Sequence, residues 1–321
     1  MIENAQKPFN YNAEEDDEVL IVSDTQMEPM VWSVLNKAAR SLGIEPTIVL
    51  MSEREYSYAE PTAPVAKAMT ESDLVVLATS KGLAHSDAVG RIIEDGKKVV
   101  LMSEMIPETL LSGAATADYD EILELGLKIE ERMNSGERIE ITGPNGTDLV
   151  ANISGQHGAV KAARCDVKRN GDAIEAHEAR IAAFPDGEVP ITPIPGTAEG
   201  TVVWDTTMHE IGLIDEPIRA EVEEGFVTEI TGGHEAEKLS NFLAGFDNKN
   251  VYNIGELSVN INPSAEITGR LREDKKALGY FHIAVGAGGS VEAPVHIDGV
   301  LAAGTIKIDG EPIVEDGKIT I

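Results

Sequence analysis

Val19-Leu20-Ile21-Val22-Ser23-Asp24-Thr25 is a run of four aliphatic residues leading into three polar ones. A run so short and so uniformly apolar fits a strand buried on both faces and ending in a polar loop. The residues that follow supply its cover. Over residues 29–42, Met30, Val31, Val34, Leu35, Ala38, Ala39 and Leu42 recur at helical spacing, with Pro29 at the start and Gly43 just past the end. The cycle then repeats: strand at 46–51, helix at 64–69, strand at 73–78, helix at 85–95, strand at 98–102. Strands alternating with helices require right-handed crossovers, so the expectation is an α/β domain built on a doubly wound, mostly parallel sheet. Only the first dozen residues read as candidates for disorder.

Loops at the carboxyl ends of such strands commonly hold ligands. Two are polar here, residues 23–25 and 79–85, and the second makes Lys81 and His85 candidates to meet an anionic substrate. No G-x-G-x-x-G follows the first strand and no G-x-x-x-x-G-K-[ST] occurs, so nucleotide binding is not expected. An amphipathic helix over 118–135, with Ile122, Leu123, Leu125, Ile129 and Met133 on one side, bridges to the second half. Beyond residue 137 the pattern changes to short strands between turn signals such as Asn145-Gly146, Asn170-Gly171, Asp186-Gly187 and Asp309-Gly310. One helix, at 235–243, interrupts them. The expected organisation is therefore a Rossmann-like α/β domain at 1–139 and an α+β domain at 140–321.

Composition narrows the functional classes. The chain has 321 residues, 42% of them hydrophobic, and its longest apolar runs are strand-length, so no membrane span is expected. Its formal charge of -30 argues against nucleic-acid binding, which needs a basic footprint. Cys165 is the single cysteine, which removes an intrachain disulfide and any thiolate-cluster metal site. The N-terminus has neither a basic region nor an apolar core, and a cytoplasmic location is the default expectation.

The chemistry-bearing stretch is Gly279-Tyr280-Phe281-His282-Ile283-Ala284-Val285-Gly286, followed by Val295-His296-Ile297-Asp298-Gly299. His296 and Asp298 are two apart, so on a strand both side chains leave one face. A hairpin through residues 287–290 would bring His282 beside them. Two imidazoles and a carboxylate on one side of a cation make the facial arrangement used for non-haem iron, and zinc or manganese are alternatives. Glu188, delivered by the Pro185-Asp186-Gly187 turn, and Glu256, an acid within an apolar strand, are candidates for a metal shell or a general base. Glu273-Asp274-Lys275-Lys276 reads as a solvated charge run, and His157, His177, His209 and His234 as structural or surface residues. Ser154 and Ser290 lack the context of a hydrolase nucleophile.

Taken in order, Gly146-Thr147-Asp148-Leu149, Phe184-Pro185-Asp186-Gly187-Glu188-Val189, Gly255-Glu256, His282-Ile283-Ala284-Val285-Gly286 and His296-Ile297-Asp298 resemble the thermophilic aminopeptidase (aminopeptidase T) superfamily. That superfamily includes metal-dependent aminopeptidases and the shorter 2,5-dihydroxypyridine 5,6-dioxygenases. The likeness covers roughly residues 145–310. The aminopeptidase branch implies that Glu188, Glu256, His282, His296 and Asp298 surround two ions of zinc, cobalt or manganese. A tyrosine that branch carries shortly after its first His is missing from Val285-Gly286-Ala287-Gly288-Gly289, and the segment between the two histidines is short. The dioxygenase branch implies one Fe(II) on His282, His296 and Asp298, with Ser290 as a possible neighbour and Glu188 or Glu256 as the base. The expectation leans to this branch: an Fe(II) enzyme cleaving the ring of a small hydroxylated N-heterocycle. The aminopeptidase and a non-catalytic small-molecule binding protein are the alternatives. The resemblance also implies a homo-oligomer, a dimer or larger.

Overall fold

The computed structural model describes residues 1–57, 59–84, 86–165, 179–302 and 304–321. The chain forms two compact units, one of Met1–Ala117 and Lys161–Asp186, the other of Asp118–Val160 and Gly187–Ile321.

In the first unit, strands Val19–Asp24, Thr47–Met51, Leu74–Ala78, Lys98–Leu101 and Ile181–Ala183 pair in parallel. Counted along the chain, their order in the sheet is 2-1-3-4-5. This is the expected doubly wound arrangement, and the order in which strands are added reverses between the first and third strands. Every residue of Val19–Asp24 and Leu74–Ala78 is buried, as strands covered on both faces must be. Helix Pro29–Ser41 turns Val31, Val34, Leu35, Ala38 and Ala39 inward. Leu20, Val22, Val75 and Leu77 pack with Val65, Met69, Val89, Ile92 and Ile93 from the helices Ala63–Thr70 and Asp87–Glu94.

Two features of this unit differ from the expectation. Residues at the N-terminus are not a disordered lead: Ile2–Asn12 is a helix that buries Ala5, Pro8, Phe9 and Asn12, a spacing of three, one and three. Polar composition and the internal Pro8 hide it from a periodicity reading. The division at 139/140 also differs from the compact units. The fifth strand, Ile181–Ala183, returns to the parallel sheet long after the antiparallel hairpin has begun. Periodicity marks where local structure changes, not which sheet a three-residue strand joins. Cys165 sits near the Val99 and Arg180 carbonyls, and burial pushes its thiol up to about 11, which disfavours the thiolate.

Among the described residues, the second unit contains two antiparallel sheets. The larger has eight strands, from Phe226–Thr231 at one edge to Lys318–Ile319 at the other. The smaller has six, ordered Gly212–Leu213, Thr207–Met208, Val291–Leu301, Phe281–Gly288, Ile254–Asn260, Glu188–Ile191. Helix Tyr119–Ser135, capped by the Asp118 carboxylate, packs on the last of these strands. Its Gly126 faces Val160 so closely that no Cβ would fit. On the back of the smaller sheet, Trp204 is fully buried and its Nε1–H donates to the Ile283 carbonyl at 3.1 Å. Gly299, paired with Ile283, leaves the space the indole fills.

Candidate metal centre

Strand register alone collects the chemistry. In the smaller sheet His282 pairs with Val300, Ala284 with Asp298 and Gly286 with His296. On the other side Ser258 pairs with His282, Glu256 with Ala284, and Asn260 with Glu188. Because side chains alternate, Glu188, Glu256, Asn260, His282, His296 and Asp298 share one face drawn from four adjacent strands. Ala284 and Gly286 lie between the larger groups, so the centre of this face carries little side chain. Gly286 has φ +109° and a Cβ there would collide with the Val295 carbonyl.

The five residues expected in the site therefore meet. His282 Nε2 lies 3.0 Å from Glu256 Oε1 and 3.8 Å from Glu188 Oε2. His296 Nε2 lies 3.0 Å from Asp298 Oδ1 and 4.0 Å from Glu256 Oε2. Each imidazole is held from behind. His282 Nδ1 is 2.7 Å from Asn260 Oδ1, and His296 Nδ1 is 2.8 Å from the Ala287 carbonyl. Oxygen acceptors at both Nδ1 positions assign a proton there, so both Nε2 atoms present toward the carboxylates.

A nitrogen facing a carboxylate oxygen needs a cation between or beside them: a proton, or a metal. One oxygen or nitrogen from each of Glu256, His282 and Asp298 lies within 4.8 Å of the other two. The 3.0 Å separations match the edge between neighbouring ligands at about 2.1 Å from an octahedral ion. The donors are oxygen and imidazole nitrogen without thiolate, which suits iron, manganese or zinc. The residues present fit a divalent cation. The tightest trio takes Glu256 where the sequence expectation placed His296, which joins it through Asp298.

Electrostatics explain how so many acids stay buried. Burial disfavours an ionised Glu188, but Lys275, Lys276 and His282 outweigh it and bring its carboxyl down to about 2. Asp298 likewise overcomes desolvation through Lys275 and His296 and sits well below the usual carboxylate range. Glu256 is lowered against desolvation by its hydrogen bond with His282 and the charge of His296. Burial works against a charged His296, yet Asp298 and Glu256 raise it to about 9. Lys276 Nζ is 2.6 Å from Glu188 Oε2, and Lys275 Nζ is 2.8 Å from Asp298 Oδ2. Three carboxylates against two ammonium groups leave one net negative charge when both imidazoles are neutral.

Several sequence readings need correction here. Glu273, Asp274 and Lys276 are buried, so the charge run at 273–276 is not solvated. Asp274 accepts from Thr268 N at 2.7 Å and Gly269 N at 2.9 Å and also bonds Thr207, fixing the turn that carries both lysines. The run alternates sign as a surface helix does, and only tertiary burial sets it apart. Ser290 does not join the site: it is exposed at the hairpin turn, six residues from His296, roughly 20 Å along a strand. His85 lies outside the described residues. Lys81 is half-buried, and its carbonyl accepts from Thr79 Oγ1 at 2.7 Å. The Asn260 contact was not foreseen, although an asparagine in the apolar run Val259-Asn260-Ile261 was a signal for it.

The fold is shared with solved dihydroxypyridine dioxygenase and aminopeptidase T structures. The structure of 2,5-dihydroxypyridine dioxygenase from Pseudomonas putida KT2440 has a TM-score of 0.81 at 21% identity, covering 99% of this chain and 96% of that one. Wild-type AmpT from Thermus thermophilus has a TM-score of 0.73 at 14% identity, covering 100% and 98%. These two likenesses show a shared fold. The family follows from sequence: the family model for NicX, 2,5-dihydroxypyridine 5,6-dioxygenase, matches residues 7–321, and the chain belongs to that family. The 2,5-dihydroxypyridine 5,6-dioxygenase of Pseudomonas putida KT2440 is 28% identical over 269 residues, 79% of this chain and 72% of that protein. The resemblance read from the motifs is thus upheld by sequence on the dioxygenase side and in fold on the aminopeptidase side, and membership implies an enzyme. Among the described residues, no helix is long and apolar enough to cross a membrane.

Proposed function

We propose that the protein is an Fe(II)-dependent dioxygenase that opens the ring of a small dihydroxylated pyridine. The observation that supports the reading is the gathering of Glu256, His282 and Asp298 donors within 4.8 Å of one another, with His296 Nε2 3.0 Å from Asp298 and each imidazole held at Nδ1, in a chain of this family. His282, His296 and Asp298 would hold the ion, and Fe(II) supplies the one-electron chemistry by which dioxygen reacts with a closed-shell aromatic.

The two glutamates divide the remaining work. Glu188 is 7% exposed and pinned by Lys276, so it stays ionised and holds the turn in place. Glu256 is the more open of the two, its side chain 22% exposed, and it is the group able to take a hydroxyl proton from an entering substrate.

A second reading, a two-metal aminopeptidase, is supported by the AmpT fold and by the five donors. Metal analysis of protein purified anaerobically without chelator separates them. About one iron per chain, with oxygen uptake on adding 2,5-dihydroxypyridine, is expected of the dioxygenase. About two zinc, cobalt or manganese ions and release of N-terminal amino acids from peptides without oxygen would replace it. Absence of any metal would leave a non-catalytic binding protein.

A further inference from the structure

We infer that Lys275 and Lys276 limit this centre to one metal ion, their ammonium groups filling the place a second cation would take. The inference rests on the proposed reading that the face binds a metal. Two imidazoles and three carboxylates are more donors than one facially held ion needs, and carboxylate-rich sites of this kind hold ions about 3.5–4 Å apart. In this chain the surplus oxygens of Asp298 and Glu188 are already taken. Asp298 turns Oδ1 toward His296 and Oδ2 toward Lys275, at 3.0 Å and 2.8 Å. Lys275 Nζ is also 3.9 Å from Glu188 Oε1, so it lies between the two carboxylates that would bridge to a second ion. Lys276 Nζ holds the other Glu188 oxygen at 2.6 Å.

These ammonium groups cannot swing aside as surface lysines do. The Lys276 side chain is fully buried and that of Lys275 is 15% exposed. Their backbone is fixed on both sides, by the Asp274 carboxylate bonds to Thr268 N and Gly269 N and by Asn262 N donating to the Lys276 carbonyl at 2.9 Å. A second divalent ion would have to enter beside two fixed positive charges, with the carboxylates that would ligate it already paired. The lysines therefore act as positioning residues: they hold Glu188 and Asp298 without contacting the reacting atoms.

The test counts metal and needs no turnover. Wild type, K275R, K275Q and the double variant K275M/K276M are equilibrated with excess Mn(II), freed of unbound ion and analysed for retained manganese, with circular dichroism to confirm folding. Wild type and K275R are expected to retain about one Mn(II) per chain and the double variant about two. Should the double variant fail to fold, K275Q, which keeps the Lys276–Glu188 pair, carries the test and is expected to rise above one. A folded K275Q or double variant that stays at one overturns the inference while leaving the metal site intact. Two ions in the wild type overturn the inference alone. A wild type that binds none overturns it together with the reading of the site.

Discussion

Asp24 and Asp298 are both buried aspartates on sheet strands, 2% and 5% exposed, yet they sit in opposite electrostatic settings. Asp24 ends the first strand of the parallel sheet. Its Oδ1 accepts from the Gln26 and Met27 amides and its Oδ2 from the Ser80 amide and hydroxyl, at 2.7–3.0 Å. Those donors are neutral and come from two loops, which the group ties together. Asp298, in the middle of an antiparallel strand, is held by His296 and Lys275, groups whose own charge must be maintained. A carboxylate satisfied by amides anchors structure; one that faces an imidazole Nε2 has a partner whose proton a metal ion can replace.

The contrast can be broken at its strongest point first. Asp298→Ala or His296→Ala is expected to abolish metal retention in elemental analysis, whereas His234→Ala, on a helix outside the site, leaves it unchanged. Full occupancy in Asp298→Ala would show that the buried aspartate is an anchor like Asp24. Asn260→Ala removes the acceptor behind His282 while sparing every donor atom, and metal affinity should fall about 10–100-fold, measured by chelator competition.

The pH response is next in size. In the metal-free protein His296 is raised to about 9, so near neutrality it keeps a proton that an incoming ion must displace. Metal binding should therefore tighten as pH rises, roughly tenfold per unit for one proton, and level off above His296's own value. Calorimetry in buffers of different ionisation enthalpy would count the proton; uptake without proton release would place the ion elsewhere. The smallest effect falls on the other aspartate. Asp24→Ala should cost about 1–3 kcal/mol of stability in urea unfolding, with metal stoichiometry unchanged.

Much of the first unit was legible because its strands are continuous apolar runs and its helices keep a helical period, two of them opening on a proline. Thr47–Met51 and Leu74–Ala78 fall within a residue of their expected limits. The helix at Ile2–Asn12 was not legible, since its inward positions are small or atypical. In the second unit His282, His296 and Asp298 were legible through an i, i+2 spacing and a glycine-rich turn that fixes the hairpin. Ser290 was misplaced because proximity in sequence to two ligands says nothing once the strand carries them away from the turn.

The sequence by itself determined the alternation that builds the parallel sheet, the one-face placement of His296 and Asp298, and the family, since each depends on local spacing or ordered motifs. Tertiary structure alone decided the register by which Glu188 and Glu256, already candidates in the sequence, reach that face from two other strands, and that Ile181–Ala183 returns to the first sheet. It also decided the state of Lys275 and Lys276. Their charges look solvated in the chain because burial is a property of what packs over a residue. Only the folded turn shows two ammonium groups held against the carboxylates of the candidate metal centre.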